Sequence, residues 1–291
     1  MSASDIVISG IAGRYPLCEN TEEFWQRLIT GKDLSSVNDD RWPIGRVKNI
    51  EKFDAEFFKM TQVECDSFDP QYRLMYEVTY EAIYDSGIIP ESLKGSNTAL
   101  LIGSCYDDAL KALAQDVIMD EKERSWCREG SAVISRAFGF TGAVTEMDTA
   151  CAASFSCLNE GFRMMQAGYC ENLIVGGVAI QLSPGSSMSF KLMRMNSQDG
   201  RSKCLDEAVD GYCRSEAVIA LFVQRRANAK RIHASIICIN TNTDGFKSEG
   251  ITFPRYDTQK ALLQQAIKQS KIDPQSIEYI EAHVTGTAAG D

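Results

Sequence analysis

Short apolar runs recur along the chain, and each is bounded by glycine or by polar residues. Continuous runs of this kind are typical of strands that are buried on both faces of a sheet. One begins at Ile6 and is closed by Gly10 and Gly13. The same pattern predicts further strands at Thr98 to Ile102, Val144 to Met147, Leu173 to Ile180, Ala217 to Val223, Arg231 to Ile239 and Ile277 to Ala282. We therefore expect a sheet with a buried centre.

Segments with the helical period lie between these runs. Apolar residues follow Cys151 at steps of four, three, four and three, and Gly168 closes that segment. A second helix has Asp69 as N-cap and Pro70 in its first turn, and it ends at Gly87. Further helices are predicted at Glu22 to Ile29, Asp107 to Ile118 and Gln259 to Gln269. The strand, helix and strand around Cys151 form a βαβ unit with parallel strands, so the class is α/β with helices layered over parallel or mixed sheets.

Composition and charge exclude several functional classes. The chain has 291 residues, with 30 Lys and Arg against 40 Asp and Glu, which gives a formal charge of −10. A net acidic surface is unsuited to binding nucleic acid or anionic lipid. Its apolar runs fall far short of the roughly 20 residues that span a bilayer. The first residues have neither a basic segment nor a long apolar one, so no secretory signal is predicted.

The ten cysteines are dispersed and contain no C-x-x-C spacing. The spacing predicts neither a zinc site nor a thioredoxin-type motif, and we expect no metal. A disulfide scaffold would be short and far denser in cysteine. We therefore expect a cytoplasmic protein whose thiols are mostly reduced and buried.

Cys151 is the first candidate for chemistry. A cysteine in the first turn of a helix lies near unpaired backbone amides and the positive end of the helix dipole, which favour the thiolate. Small residues surround it, and the amides that follow can hold the negative oxygen of a tetrahedral intermediate. A buried structural cysteine at a helix start explains the same pattern equally well. The sequence pattern alone leaves both interpretations open.

The chain contains two histidines, His233 and His283. His283 follows a predicted strand and opens a loop of two threonines and two glycines, where it is either a catalytic imidazole or an incidental loop residue. His233 lies in an apolar strand, where a structural histidine with a hydrogen-bond partner is the preferred interpretation. The separation of Cys151 and His283 is compatible with thiol catalysis on several folds.

An ordered series of motifs resembles one known family. The series consists of Asp69-Pro70-Gln71-x-Arg73-Leu74, Asp148-Thr149-Ala150-Cys151, Val175-Gly176-Gly177, Asp199-Gly200-Arg201-x-Lys203, Gly211-Tyr212-Cys213-Arg214-Ser215-Glu216, Thr241-Asn242-Thr243-Asp244-Gly245-Phe246 and Glu281-Ala282-His283-x-Thr285-Gly286-Thr287. Together these motifs resemble the β-ketoacyl synthase domain, or ketosynthase, of animal-type fatty acid synthases. The resemblance covers almost the whole chain.

The resemblance implies a thiolase-like fold, a homodimer and substrates carried on the phosphopantetheine arm of an acyl carrier protein. It implies no cofactor in this domain. Cys151 matches the nucleophile that receives the acyl group as a thioester, before malonyl carrier loses carbon dioxide and its enolate attacks that group. His283 matches one of two histidines that donate hydrogen bonds to the enolate oxygen. Thr285 and Thr287 match hydroxyls that line the pantetheine arm.

The family pattern also contains a second histidine and a lysine beyond Asp291, so the resemblance implies a ketosynthase whose second half is incomplete. We expect an N-terminal region over residues 1–240, carrying the nucleophile, and the start of a C-terminal region over residues 241–291. One alternative is a non-catalytic ketosynthase-like module for dimerisation or carrier docking, as a fragment or a decayed copy. A weaker one is an unrelated thiol hydrolase that uses Cys151 and His283.

Overall fold

The computed structural model describes residues 5–36, 43–109, 130–250 and 252–291. It divides into two compact units. Unit 1 comprises Met1–Leu34, Gly45–Ser183 and Ser215–Ile236, and unit 2 comprises Ser35–Ile44, Pro184–Arg214 and Ile237–Asp291. The expected boundary between residues 240 and 241 separates family regions rather than compact units, and it stays a prediction.

Unit 1 is built on a six-stranded sheet with the order β5-β4-β6-β7-β1-β8. Its strands are β1 (Ile6–Arg14), β4 (Thr98–Ser104), β5 (Val144–Met147), β6 (Asn172–Ala179), β7 (Ala217–Arg225) and β8 (Ala234–Ser235). Strand β4 runs parallel to both β5 and β6, which confirms the predicted parallel βαβ unit. Strand β7 is antiparallel to its neighbours β6 and β1, so the sheet is mixed. A separate two-stranded sheet pairs β2 (Ser35–Ser36) with β3 (Ile44–Gly45).

The helices of unit 1 are α1 (Thr21–Ile29), α2 (Gln62–Ser67), α3 (Pro70–Asp85), α4 (Gly130–Phe138) and α5 (Ala153–Ala167). Helix α3 confirms the sequence prediction at both ends. The Asp69 side chain accepts a hydrogen bond from the Gln71 amide, and Pro70 occupies the first turn. Gly87, with a φ of 80°, follows the last turn. Local capping signals of this kind are legible in the sequence because each depends on neighbouring residues only.

Helix α3 and the sheet enclose the apolar core of unit 1. Residues of α3 such as Met75, Val78 and Ile83 are buried against strand residues that include Leu100 and Phe222. Every member of this core belongs to unit 1. The core therefore fixes the sheet, and Cys151 follows the end of one of its strands, β5.

Strand β1 continues through the two glycines that the sequence pattern treats as its end. A Cβ at Gly10 would lie 1.9 Å from the Ala82 carbonyl oxygen, so this glycine lets α3 pack directly on the strand. The expectation that Gly10 and Gly13 close the strand is thus wrong. Glycine inside a strand marks a close backbone approach here, not a turn.

Unit 2 contains the helices α6 (Pro184–Leu192) and α7 (Tyr256–Ser270). Helix α7 confirms the helix predicted at Gln259 to Gln269. The strand predicted at Ile277 to Ala282 is wrong, because that segment pairs with no other strand among the described residues and its Ile280 side chain is exposed. The strand predicted at Arg231 to Ile239 is reduced to β8, which pairs with only two residues of β1.

The helix predicted at Asp107 to Ile118 falls mostly outside the described residues. Within residues 5–36, 43–109, 130–250 and 252–291, no helix combines the length and apolar character that crossing a membrane requires.

Candidate active site

The turn between β5 and α5 carries Cys151. The Oδ1 atom of Asp148 accepts a hydrogen bond from the Ala150 amide at 2.9 Å, and Ala150 adopts a left-handed backbone with a φ of 51°. A residue other than glycine rarely takes this conformation, so the turn is sharp and locally strained. Residues Ala150–Ala152 form a single 3-10 turn, and Cys151 is exposed at its centre. The alternative of a buried structural cysteine is therefore wrong.

Helix α5 begins at Ala153, two residues after the cysteine, rather than at Cys151 as the apolar period predicts. Its N-cap residue is Ala152, which has no side-chain oxygen to accept a hydrogen bond from the first-turn amides. The Ala153 amide donates to the Ala150 carbonyl oxygen. The amides that follow it and the positive end of the helix dipole lie beside the Cys151 turn. This arrangement can stabilise a negative sulfur or a negative oxygen.

Two glycines bring the start of α5 onto the sheet. A Cβ at Gly103 of β4 would lie 2.6 Å from the Ser154 amide nitrogen, and one at Gly177 of β6 would lie 3.2 Å from the Ser154 Cβ. The carboxyl ends of parallel strands are the usual place for a site in α/β sheets. Gly177 belongs to a motif of the resemblance, but sequence reasoning missed Gly103. Its signal was a glycine at the end of an apolar strand.

A nearby cysteine within α5 provides a contrast to Cys151. Cys157 is fully buried, and burial raises the pKa of its thiol to about 11. A thiol with that pKa is almost entirely protonated at neutral pH and is a poor nucleophile. Of these two cysteines, Cys151 is the one that a substrate can reach.

His283, Thr285 and Thr287 belong to unit 2, whereas Cys151 belongs to unit 1. The His283 side chain is exposed. The structure brings Thr285 and Thr287 together, with their hydroxyl oxygens 3.3 Å apart. Gly286 between them has a φ of 77°, which only glycine adopts easily, so the loop reverses and both hydroxyls point to the same side.

A cavity of about 970 Å³ lies within unit 2 beside this loop. Thr287 contributes to its lining, together with Asp210 and Gly211 and the cationic side chains of Lys191 and Arg194. A volume of this size is sufficient for an extended small-molecule substituent. The threonine loop therefore borders, through Thr287, a space that a substrate can occupy.

His233 is structural, as the sequence predicts. Its Nε2 atom lies 2.6 Å from Oδ2 of Asp85, and Arg231 contacts the other oxygen of the same carboxylate. Within the described part of the chain, no group of three His, Cys, Asp or Glu residues is placed to hold a metal ion.

Comparison with known proteins decides the family. The model of the β-ketoacyl synthase N-terminal domain matches residues 3–229, and the model of its C-terminal domain matches residues 233–291. The chain belongs to the β-ketoacyl synthase family. This confirms the resemblance seen in the motifs, and it identifies the chain as a ketosynthase domain of fatty acid or polyketide synthases.

Curated relatives come from both kinds of synthase. The chain is 39% identical to a fatty acid synthase of the goose Anser anser anser, over 99% of this chain and 85% of that sequence. It is 33% identical to the 6-methylsalicylic acid synthase of Aspergillus terreus over 99% of this chain, but spans only 18% of that sequence. With the probable polyketide synthase 1 of Dictyostelium discoideum the identity is 31%, over 10% of that sequence.

Solved ketosynthase structures share the fold. The oxazolomycin ketosynthase domain of Streptomyces albus superposes with a TM-score of 0.89 at 27% identity, over 99% of this chain and 54% of that one. A ketosynthase of the bacillaene synthase of Bacillus subtilis gives a TM-score of 0.88 at 27% identity, over 97% and 51%. The ketosynthase thus has the expected thiolase-like fold, and it spans about half the length of these solved chains.

Proposed function

We propose that this ketosynthase condenses acyl and malonyl groups carried on an acyl carrier protein, as part of fatty acid synthesis. The observation that carries the proposal is the exposed Cys151 thiol at a sharp strand-to-helix turn, beside uncapped amides of α5. The higher identity to the goose fatty acid synthase than to the polyketide synthases favours the fatty acid branch. Homodimer formation and a cytoplasmic location are parts of the same proposal.

The first half-reaction transfers an acyl group to Cys151. The Cys151 thiolate attacks the thioester carbonyl, and the helix amides stabilise the tetrahedral oxygen. The bond between the acyl carbon and the carrier sulfur then breaks, and the carrier leaves as a thiolate, which takes a proton from water. A thioester on Cys151 is the product, and it stays reactive toward a carbon nucleophile.

The second half-reaction forms the carbon–carbon bond. Malonyl carrier loses its carboxylate as carbon dioxide, and the electron pair of the broken bond becomes an enolate. The enolate carbon attacks the Cys151 acyl carbonyl, and the cysteine leaves as a thiolate. In this proposal His283 donates a hydrogen bond to the enolate oxygen, and Thr285 and Thr287 hold the pantetheine arm.

The test follows the two half-reactions separately. The chain is incubated with butanoyl-pantetheine, and intact-mass and peptide analysis locate the added acyl group; malonyl-pantetheine labelled at its free carboxylate then reports carbon dioxide release. We expect one butanoyl group on Cys151, followed by release of labelled carbon dioxide. The Cys151→Ala variant should lose both signals.

Cys105 provides the matched control, because it is another exposed cysteine of unit 1. The Cys105→Ala variant should retain acylation at the wild-type rate. Acyl groups on Cys105 instead of Cys151, or no mass gain at all, would refute the catalytic proposal. The absence of acylation in a folded chain would favour the non-catalytic module.

A further inference from the structure

The carboxylate of Asp291 contacts the backbone of the threonine loop at two places. Its Oδ1 atom accepts hydrogen bonds from the amides of Gly286 at 2.9 Å and Thr287 at 3.2 Å. Its Oδ2 atom accepts from the amide of Leu205 at 2.8 Å. One side chain therefore joins the loop to the separate segment around Leu205.

Gly286 is held from its other side as well. Its carbonyl oxygen accepts a hydrogen bond from the Gly211 amide at 2.9 Å, so both of its backbone polar groups are engaged. A Cβ at this position would lie 3.0 Å from both the Gly211 oxygen and the Lys203 nitrogen. The loop is thus fixed between Asp291 and Gly211, with no room for a side chain at its centre.

This anchoring determines where the two hydroxyls lie. A Cβ at Gly290 would come within 2.6 Å of the Thr287 Oγ1 atom and 3.3 Å of the Thr285 Oγ1 atom. The residue before Asp291 therefore faces both hydroxyls, and a side chain at this position would contact them. The direction of the threonine side chains depends on the same short segment that supplies the carboxylate.

We propose that Asp291 is a positioning residue, which fixes Thr285 and Thr287 in the geometry that binds the pantetheine arm. The inference rests on the proposed function for the role of the threonines, and it adds a residue that has no contact with substrate. The pKa of the Asp291 carboxyl lies below its usual value, because the Leu205 amide donates to it, followed by the amides of Gly286 and Thr287. The group is therefore an anion at neutral pH, and hydrogen bonds to an anion are about twice as strong as neutral ones.

The test compares Asp291→Ala and Asp291→Asn with a control, Glu278→Gln. Glu278 is an exposed carboxylate of unit 2 for which the described residues provide no hydrogen-bond donor. Asparagine keeps one carbonyl oxygen and so retains an acceptor on one side only. We expect the alanine variant to lose more function than the asparagine variant, and the control to lose none.

The first measurement compares two substrates for acylation of Cys151. Butanoyl-pantetheine carries the arm, whereas S-ethyl butanethioate has the same acyl group and no arm. In the Asp291→Ala variant, kcat/KM should fall about tenfold for the pantetheine substrate and stay unchanged for the ethyl thioester, as expected when the released threonines lose about one hydrogen bond to the arm. An equal fall for both substrates would indicate general damage to the fold and would overturn the inference.

The second measurement does not require catalysis. Binding of pantetheine itself is followed by ligand-observed NMR on wild type and variants. Weaker binding in the Asp291 variants supports the inference even if Cys151 is never acylated, in which case only the proposed function fails. Equal pantetheine binding by wild type, both Asp291 variants and the control overturns the inference, as does a wild-type chain that binds none.

Discussion

Different kinds of interaction stabilise the interior of unit 1 and the interior of unit 2. In unit 1 the core of buried apolar side chains packs helices against a six-stranded sheet. In unit 2, Ile44 is the one buried apolar residue among those the structure describes, and α7 has no buried residue. Its loops are fixed by carboxylates such as Asp210, Asp244 and Asp291, which accept hydrogen bonds from side chains and backbone amides.

The difference corresponds to the tasks proposed for the two units. A nucleophile at the ends of parallel strands takes its position from packing, because the sheet and α5 fix the turn between them. Among the described residues no strand lies beneath the loop with the two threonine hydroxyls, and the contacts that hold this loop are directional hydrogen bonds. Replacing a buried apolar residue of unit 1 should therefore greatly lower the free energy of unfolding. Replacing a polar residue of unit 2 should mainly change the loop that it contacts.

The largest expected loss of stability follows the removal of a core side chain. Phe222 is fully buried in unit 1, and Phe222→Ala should lower the free energy of unfolding by about 3–5 kcal/mol through lost burial and a cavity. The matched change in unit 2, Phe246→Ala, removes a side chain that is 91% exposed and should alter it by less than about 0.5 kcal/mol. Urea denaturation measures both, and equal losses would contradict the contrast between the units.

A smaller loss of stability is expected where the backbone of β1 approaches the backbone of α3. In Gly10→Ala the new methyl group meets the Ala82 carbonyl of α3, and we expect a loss of about 1–3 kcal/mol from overpacking. Gly13→Ala on the same strand is the control, since its methyl group meets the outer atoms of the Tyr15 ring rather than the backbone of a helix. Thermal or urea unfolding should show that Gly10→Ala is less stable than Gly13→Ala. The reverse order of stability would show that α3 can shift.

The smallest expected change in stability comes from a carboxylate near the start of α7. Lys247 donates to the Asp244 carboxylate at 2.6 Å, and the Thr258 hydroxyl and the Arg255 amide donate to it as well. These bonds lower the pKa of Asp244 to about 2, with the Lys247 bond as the main cause. A lowered folded-state pKa stabilises the fold above the unfolded value near 3.9 and loses that contribution as the pH falls toward 2.

An NMR titration of the Asp244 carboxyl measures this directly. We expect a midpoint near 2 in the wild type. In Lys247→Gln the midpoint should move up, because the main partner has lost its charge. An unchanged midpoint in that variant would show that the loop of unit 2 does not depend on this ion pair.

Local signals made much of the fold predictable. Helix α3 could be placed from Asp69, Pro70 and Gly87, since each acts within one turn of the chain. The parallel arrangement around α5 followed from the lengths of the segments and is confirmed by the register. Contacts between distant segments were not predictable in this way. Gly10 was misinterpreted because its role depends on Ala82, far away in sequence and adjacent only in the fold.

The candidate site was likewise predictable only in part. The motif around Cys151 predicted the candidate nucleophile, and that role stays a prediction. The position of α5 depends on the left-handed Ala150, and no local rule predicts that conformation for alanine. The Thr285 and Thr287 pair was visible as a motif. The role proposed for Asp291 was not, because one of the three hydrogen bonds of its carboxylate reaches Leu205, 86 residues away.

Gly103 has a consequence for how such a chain tolerates inherited change. The strand residue touches no proposed substrate, yet a methyl group there would meet the backbone of Ser154 and Ala153. Helix α5 would have to rise from the sheet, and the thiol two residues upstream of the helix would be displaced with it. A single codon change at a position outside the motifs of the resemblance would then displace the proposed nucleophile while every residue of those motifs remained intact.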